Sequence, residues 1–297
     1  MIRYKLLKEN GINLKKITKK NNAYIIETDS DKYVIKENET NLDSVYKYLN
    51  ARGFNYFPNY RIIDNYMVYN YIEPIHEENS QKLEDLVYLI SLLHLKTTRF
   101  NEVDLDDYKK IYENIDNKLT DLHDYYSNLN DQIDSEIYMS PSHYLLIRNI
   151  SKIYEALIFS KNELDNWYEL VKEEEKQRKV LIHNNLDIDH LLKSKNSYLI
   201  SFSKSKIDFP VYDLCNLFNK YYREISFSNL FNIYKQKYPL NKSELSLLFI
   251  YISIPDKVIF KKNEYQNTIK VKDMLTKLSK SDKFIKSYYE KLEEKAN

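Results

Sequence analysis

The chain has little glycine: Gly11 and Gly53 are the only two in 297 residues. A Walker loop or a G-x-G-x-x-G turn needs several glycines close together, so that backbone N–H groups can approach a phosphate. Phosphate cradling by a glycine-rich backbone is therefore excluded. Cysteine is scarcer still. Cys215 stands alone, which rules out a disulfide within the chain and fits a reducing compartment. The start, Met1-Ile2-Arg3-Tyr4-Lys5, has no apolar run of the signal-peptide kind. No run of about 18 apolar residues occurs, so no transmembrane helix is expected. The longest, Leu245 to Ile254, reads as a buried helix. An excess of one charge is also missing. With 45 basic and 44 acidic side chains the net charge is +1, so nothing draws the whole molecule to nucleic acid or a membrane.

What is present is a globular composition, 43% hydrophobic and 30% charged, with enough chain for one large domain or two lobes. Tyrosine is abundant, at 29 residues. The pairs Tyr125-Tyr126, Tyr221-Tyr222 and Tyr288-Tyr289 read as core or surface residues rather than a base-stacking platform.

Two β-rich runs, Ala23 to Glu27 and Lys32 to Glu37, flank the turn signal Asp29-Ser30-Asp31 and predict a hairpin. Asn41 to Ala51 carries Leu42, Val45, Tyr46 and Leu49 at helical spacing, with Gly53 as the expected C-terminal cap. Pro58 to Ile63 and Tyr66 to Ile72 predict a second strand pair around Asp64-Asn65. Beyond Gln81 the pattern turns helical. Leu83, Leu86, Val87, Ile90, Leu93 and His94 share one face. Helices are expected over Tyr108 to Leu129, Ser142 to Tyr154 and Asn162 to Glu175. Short apolar runs at Lys179–Ile182, Leu191-Leu192 and Tyr198–Phe202 predict small strands, and Tyr212 to Lys295 reads as mostly helical. A β-rich segment followed by a helical one is an α+β arrangement.

The informative residues lie between 180 and 214. Val180-Leu181-Ile182-His183-Asn184-Asn185-Leu186-Asp187-Ile188-Asp189-His190-Leu191-Leu192 resembles the catalytic loop of the aminoglycoside phosphotransferase and choline kinase-like superfamily. Its pattern there is hydrophobic, His, Gly, Asp, four residues, Asn, two hydrophobics. Leu199-Ile200-Ser201-Phe202-Ser203 resembles that family's I-D-F-D metal segment, and Asp208-Phe209-Pro210-Val211-Tyr212-Asp213-Leu214 its following D-x-P-x-x-D-L. Tyr238-Pro239-Leu240-Asn241-Lys242-Ser243-Glu244-Leu245, closing at Ile254-Pro255, resembles the CotS-type, spore-coat branch. Upstream, Tyr33-Val34-Ile35-Lys36 is similar to the strand bearing the nucleotide-binding lysine. Tyr69-Asn70-Tyr71-Ile72-Glu73 is similar to the hinge, and Leu89 to His94 to a helix ending in Leu-His.

The resemblance implies a bilobal, protein-kinase-like α+β fold, with a small β-rich N-lobe over residues 1–73 and a large helical C-lobe over residues 74–297. It also implies Lys36, Tyr69 and Tyr71 as nucleotide-binding positions. The chemistry of the loop is another matter. Asn185 stands where the family's Asp orients the attacking hydroxyl, and an amide cannot take up that proton. His190 replaces the Asn that helps hold Mg²⁺, an ion that prefers hard oxygen ligands. Ser201 replaces the metal-binding Asp. Losing about 3 kcal/mol of transition-state stabilisation at one such position costs about two decades of rate.

Alternatives stay open at this point. Ile207-Asp208-Phe209 also reads I-D-F, which would make Asp208 the metal ligand, although Pro210 then follows too soon. Asp187 or Asp189 would have to rescue the loop from outside the motif. His183, Asp187 and His190 have metal-site spacing, against a bracing role for His183. Asp213 resembles the Asp that hydrogen-bonds back to the loop, a structural role. Lys36 is either a phosphate contact, with Asp43 as the only acid in the following helix, or a solvated strand-end lysine.

Three readings follow. The first is a non-catalytic protein of this kinase-like type that binds a protein partner or a small ligand in the interlobe cleft. The second is a divergent ATP- and Mg²⁺-dependent phosphotransferase acting on a hydroxyl. The third is a purely structural assembly protein. No cofactor, nucleic acid or membrane partner is expected on the first reading. The expected location is the cytoplasm, or the coat if the host sporulates.

Overall fold

The computed structural model describes residues 14–20, 23–38 and 42–296. Gly11, Asn41 and the Met1–Lys5 segment fall outside them. The chain divides into two compact units. One is Met1–Thr97 with Leu181–Lys206, the other Thr98–Val180 with Ile207–Asn297. The first unit is thus discontinuous in sequence.

In the first unit, β1 (Lys16–Lys20), β2 (Ala23–Glu27), β3 (Lys32–Glu37), β4 (Tyr60–Ile63) and β5 (Tyr66–Asn70) form an antiparallel sheet in the order β1-β2-β3-β5-β4. The β2–β3 hairpin pairs Tyr24 with Ile35 and Glu27 with Lys32. Its turn is closed by Thr28, whose hydroxyl donates to the Asp31 carbonyl and whose N–H bonds the same oxygen. Alternation along these strands sends Ile26, Ile35, Ile63 and Val68 into one core.

Helix α1 (Leu42–Ala51) buries Tyr46 and Leu49. It ends as the sequence predicts, at Gly53 with φ +72°. The Phe54 N–H bonds the Leu49 carbonyl and the Gly53 N–H that of Asn50. This is the two-bond Schellman ending, which requires a left-handed residue at that point. Helix α2 (Asn79–Thr97) buries Leu83, Leu86, Val87, Ile90, Leu93 and His94. The hairpin of β8 (Leu191–Lys193) and β9 (Ser197–Leu199) completes the unit. It is fastened by an ion pair from Lys193 to Asp85 of α2, by Ile75 N–H to the Lys193 carbonyl, and by Leu199 N–H to the Tyr56 carbonyl.

The second unit is helical. It comprises α3 (Leu105–Asp134), α4 (Pro141–Ile147), α5 (Ile150–Lys172), α6 (Val211–Tyr221), α7 (Phe227–Lys237), α8 (Lys242–Ser253) and α9 (Glu264–Ala296). Strand β6 (Arg99–Glu102) pairs with β7 (Lys176–Ile182), and β10 (Lys206–Asp208) lies on the other side of β7. Ile153, Leu157, Leu164, Trp167 and Val171, at helical spacing, give α5 its buried stripe. The expected gap between Tyr154 and Asn162 does not exist, because the stripe continues through it. The helix break comes earlier, at Arg148-Asn149, where the Asn149 side chain donates to the Leu145 carbonyl. Helix α8 is apolar on nearly every side, as Leu245 to Ile254 suggested. It starts at a reciprocal cap: Asn241 accepts from Glu244 N–H and Glu244 accepts from Asn241 N–H. Glu244, only 4% exposed, also pairs with Arg178. The glutamate of the P-L-x-x-x-E pattern thus starts a helix and pairs with a half-buried arginine. Of the tyrosine pairs, Tyr125 and Tyr126 donate to the Val258 and Asp256 carbonyls, while Tyr221 is buried and Tyr288 packs on Phe231 and Phe249.

Candidate functional site

The loop between β7 and β8 and the segment after β9 meet at one residue, Ile200. The β8–β9 pairing sets Leu191 opposite Leu199, and one further bond, Ile200 N–H to the His190 carbonyl at 2.9 Å, extends the ladder past it. On its other side the Ile200 carbonyl lies 2.8 Å from His183 Nε2. A carbonyl only accepts, so His183 carries its proton on Nε2. His183 is fully buried and braces the loop, as the resemblance implied.

Two left-handed residues sit on either side of this clamp. Asn184 has φ +56° and Ser201 φ +70°. Asn184 occupies the place where the family pattern has glycine, and Asn is the residue after Gly that best tolerates this conformation. Its side chain donates to the Lys204 carbonyl at 3.2 Å. The sequence carried this signal in the His-Asn-Asn order, although only the backbone angle reveals it. Ser201 leads into a 3-10 turn over Phe202–Lys204. Phe202, 1% exposed, stands edge-on to His183 at 4.9 Å and to Tyr46 of α1 at 5.8 Å. This aromatic wedge joins the loop to the helix, and sequence reasoning assigned it no role.

Asn185, His190 and Ser201 are therefore brought together around one backbone clamp. His190 Nδ1 is 2.7 Å from the Asn185 carbonyl, so that nitrogen bears the proton and Nε2 has the lone pair when the ring is neutral. The donors at these three positions are an amide, an imidazole nitrogen and a hydroxyl, none of them a carboxylate. Mg²⁺ takes hard, mostly anionic oxygens in a strict octahedron, so this donor set does not fit it. The alternative trio of His183, Asp187 and His190 is not gathered as a metal-holding cluster. His183 Nε2 and His190 Nδ1 are spent on carbonyls, Asp187 accepts from Asp189 N–H to cap a 3-10 turn, and among the described residues no group of three metal-capable side chains occurs. Asp189 is exposed on that turn. Asp208 lies on β10 in the other compact unit, where its carboxylate accepts from Phe209 N–H at 2.9 Å. Asp213 is fully buried on α6.

The other candidates lie in the five-stranded sheet. Lys36 is half-buried on β3, across from Met67. Asp43, the one acid of α1, is held by Lys47 at 2.6 Å and by the Tyr60 hydroxyl at 2.9 Å. The hydrogen bond from Lys47 is the largest influence in keeping its carboxyl below the usual range. Tyr69 packs into an aromatic group with Tyr46 and Tyr60. Its hydroxyl contacts Met67 Sδ and Tyr46, and burial raises its pKa. Tyr71 N–H closes on the Lys32 carbonyl at 3.0 Å, with the Lys32 ammonium over its ring. Among the described residues no helix is long and apolar enough to cross a membrane.

No protein-family model matches the sequence, and no curated protein matches it by sequence. Solved structures do match. An aminoglycoside phosphotransferase from Alicyclobacillus acidocaldarius is 12% identical, with a TM-score of 0.74 over 99% of this chain and 97% of that one. An AMP-bound spectinomycin phosphotransferase is 15% identical, with a TM-score of 0.51 over 95% and 93%. The choline kinase LicA of Streptococcus pneumoniae is 16% identical at a TM-score of 0.47 over 96% and 99%. A β-sheet N-terminal region with a mostly helical C-terminal part, superposable end to end on the first of these, gives this chain the kinase-like α+β fold of an aminoglycoside phosphotransferase.

Proposed function

We propose that this protein is a catalytically silent kinase-like protein that acts by binding a partner protein or a small ligand. One observation carries the reading: the three positions clustered at the Ile200 clamp, Asn185, His190 and Ser201, offer no carboxylate. Proton abstraction from a hydroxyl needs a base, and neither an amide nor a serine hydroxyl supplies one. His190 keeps its Nδ1 proton on the Asn185 carbonyl, so Nε2 is the one basic atom of the three, and it stands at the position where the resemblance has the metal-holding Asn rather than the hydroxyl-orienting Asp. The nearby acids offer no rescue, since Asp187 is committed to its cap and Asp189 points from an exposed turn. Removal of about 3 kcal/mol at even two of these positions would slow transfer by about four decades if the losses added.

The likeness of Tyr238 to Leu245 to the spore-coat branch supports a cytoplasmic or coat-associated role, although Glu244 in that stretch has a structural task of its own. The test is thermal stability with ATP, alone and with Mg²⁺ or Mn²⁺. No shift under any condition, or a shift independent of metal, agrees with a silent kinase-like protein. A metal-dependent shift abolished by Asp208→Ala would sink the reading and make Asp208 the working ligand of an active enzyme.

A further inference from the structure

A second feature lies wholly within the helical unit and owes nothing to the loop. At 3.6 residues per turn, Tyr265, Ile269, Lys272, Thr276 and Ser279 fall on one face of α9. That face spans about 22 Å from Tyr265 to Lys280 at 1.5 Å per residue. Beside it, α4 contributes Leu145 to an open groove of about 250 Å³ whose other lining residues are Lys272, Leu275, Thr276, Ser279 and Lys280. The groove floor is apolar, from half-buried Leu145 and Leu275, and its α9 edge is basic.

The apolar surface continues beyond the groove. Tyr265 is 76% exposed, Ile269 39%, and Tyr144 of α4 55%. The two helix starts are joined by Ser142 N–H donating to Glu264 at 2.6 Å. In the loop entering α4, Ile137 and Tyr138 are 90% and 91% exposed. Large apolar side chains gathered this way mark an interaction surface on a soluble chain.

Charge narrows the occupant. The acids near this face are already engaged: Glu264 with Ser142, and Asp273 with Arg223. Lys272 and Lys280 form no ion pair among the described residues, and Lys261 and Lys262 stand exposed just ahead of α9. A basic rim around an apolar floor about four turns long suits an amphipathic helix laid lengthwise, with its apolar stripe down and carboxylates along its borders. We infer that the α4–α9 groove is a docking site for an acidic amphipathic helix of a partner protein.

The experiment pans a displayed library of random 16-residue peptides on the full chain. Enriched peptides are then synthesised and their binding measured by fluorescence anisotropy. The expected winners carry Leu, Ile or Phe at helical spacing, flanked by Asp and Glu. Their affinity should fall about tenfold or more in Lys272→Glu/Lys280→Glu, fall similarly in Ile269→Asp, and hold within about twofold in the distant exposed Lys118→Glu. These substitutions sit on the surface, so circular dichroism should match the parent. Winners without acidic residues or apolar periodicity, or affinities untouched by the double charge reversal, overturn the inference. So does a dimer in sedimentation equilibrium broken by Ile269→Asp, which assigns the face to a second copy. Binding to phosphatidylserine vesicles lost in Lys272→Glu/Lys280→Glu, with no peptide enriched, overturns it in favour of a lipid surface.

Discussion

Asn184 offers a sharp test of whether the loop has the backbone shape that the family pattern requires. Its φ is +56° and its amide donates to the Lys204 carbonyl at 3.2 Å. Both Asn184→Ala and Asn184→Gly remove that half-exposed hydrogen bond, a loss of about 0.5–1.5 kcal/mol. They differ in the backbone. Alanine in the left-handed region costs about 1–2 kcal/mol, and glycine costs nothing there. Glycine gives back about 0.4–1 kcal/mol through the greater freedom of its unfolded chain. The alanine variant should therefore be about 2 kcal/mol less stable than the parent, and less stable than the glycine variant by about 0–1.6 kcal/mol. Urea unfolding should be followed by far-ultraviolet circular dichroism, because the single tryptophan, Trp167, reports on the other compact unit. An alanine variant more stable than the glycine variant, as the unfolded-chain effect alone would give, would refute a left-handed Asn184, and with it the match of this loop to His-Gly-Asp.

Two further outcomes are expected. Arg178→Ala leaves the buried Glu244 carboxylate without its ion-pair partner and should cost about 3–5 kcal/mol in urea or thermal unfolding; a loss under 1 kcal/mol would mean that the helix cap alone satisfies Glu244. Glu174 has its pKa raised, first by burial and then by the Glu244 charge, against the opposing hydrogen bond from Ser243. The folded state therefore holds this proton more tightly than the unfolded chain does. The resulting stability is fully present below the ordinary value of 4.5 and is lost as pH rises through the raised pKa. Glu174→Gln should thus gain on the parent as pH climbs from about 4 to 8, and a difference constant across that range would contradict the assignment.

Much of the fold was legible because its elements announce themselves by periodicity. Alternation found the β2–β3 and β4–β5 pairs, and helical spacing found α1, α2 and α3. Gly53 marked a cap that the backbone confirms with two hydrogen bonds. The strands that were missed, β1, β6 and β10, are short and mostly exposed. With no face to bury, Lys16–Lys20 and Arg99–Glu102 show no alternation, and their strand character comes only from a neighbouring backbone. The α5 stripe was interrupted on paper by Phe159-Ser160-Lys161. Ser160 is fully buried, so a polar letter hid a core position. At the site, the order of the motifs named Asn185, His190 and Ser201, and all three lie next to the Ile200 joint. The sequence held no sign that Ile200 joins them, since that joint is made by a backbone carbonyl and a backbone N–H. Nor did it show that Asp43 belongs to Lys47 and Tyr60.

Catalytic silence stands or falls with metal-dependent ATP turnover. The chain is incubated with γ-labelled ATP, Mg²⁺ or Mn²⁺, and a panel of aminoglycoside, choline and sugar hydroxyl acceptors, beside the triple variant Asn185→Asp/His190→Asn/Ser201→Asp. The parent should release or transfer no phosphate above the protein-free blank with either metal and any acceptor. Metal-dependent turnover by the parent that disappears in Asp208→Ala, Asp187→Ala or Asp189→Ala would contradict it.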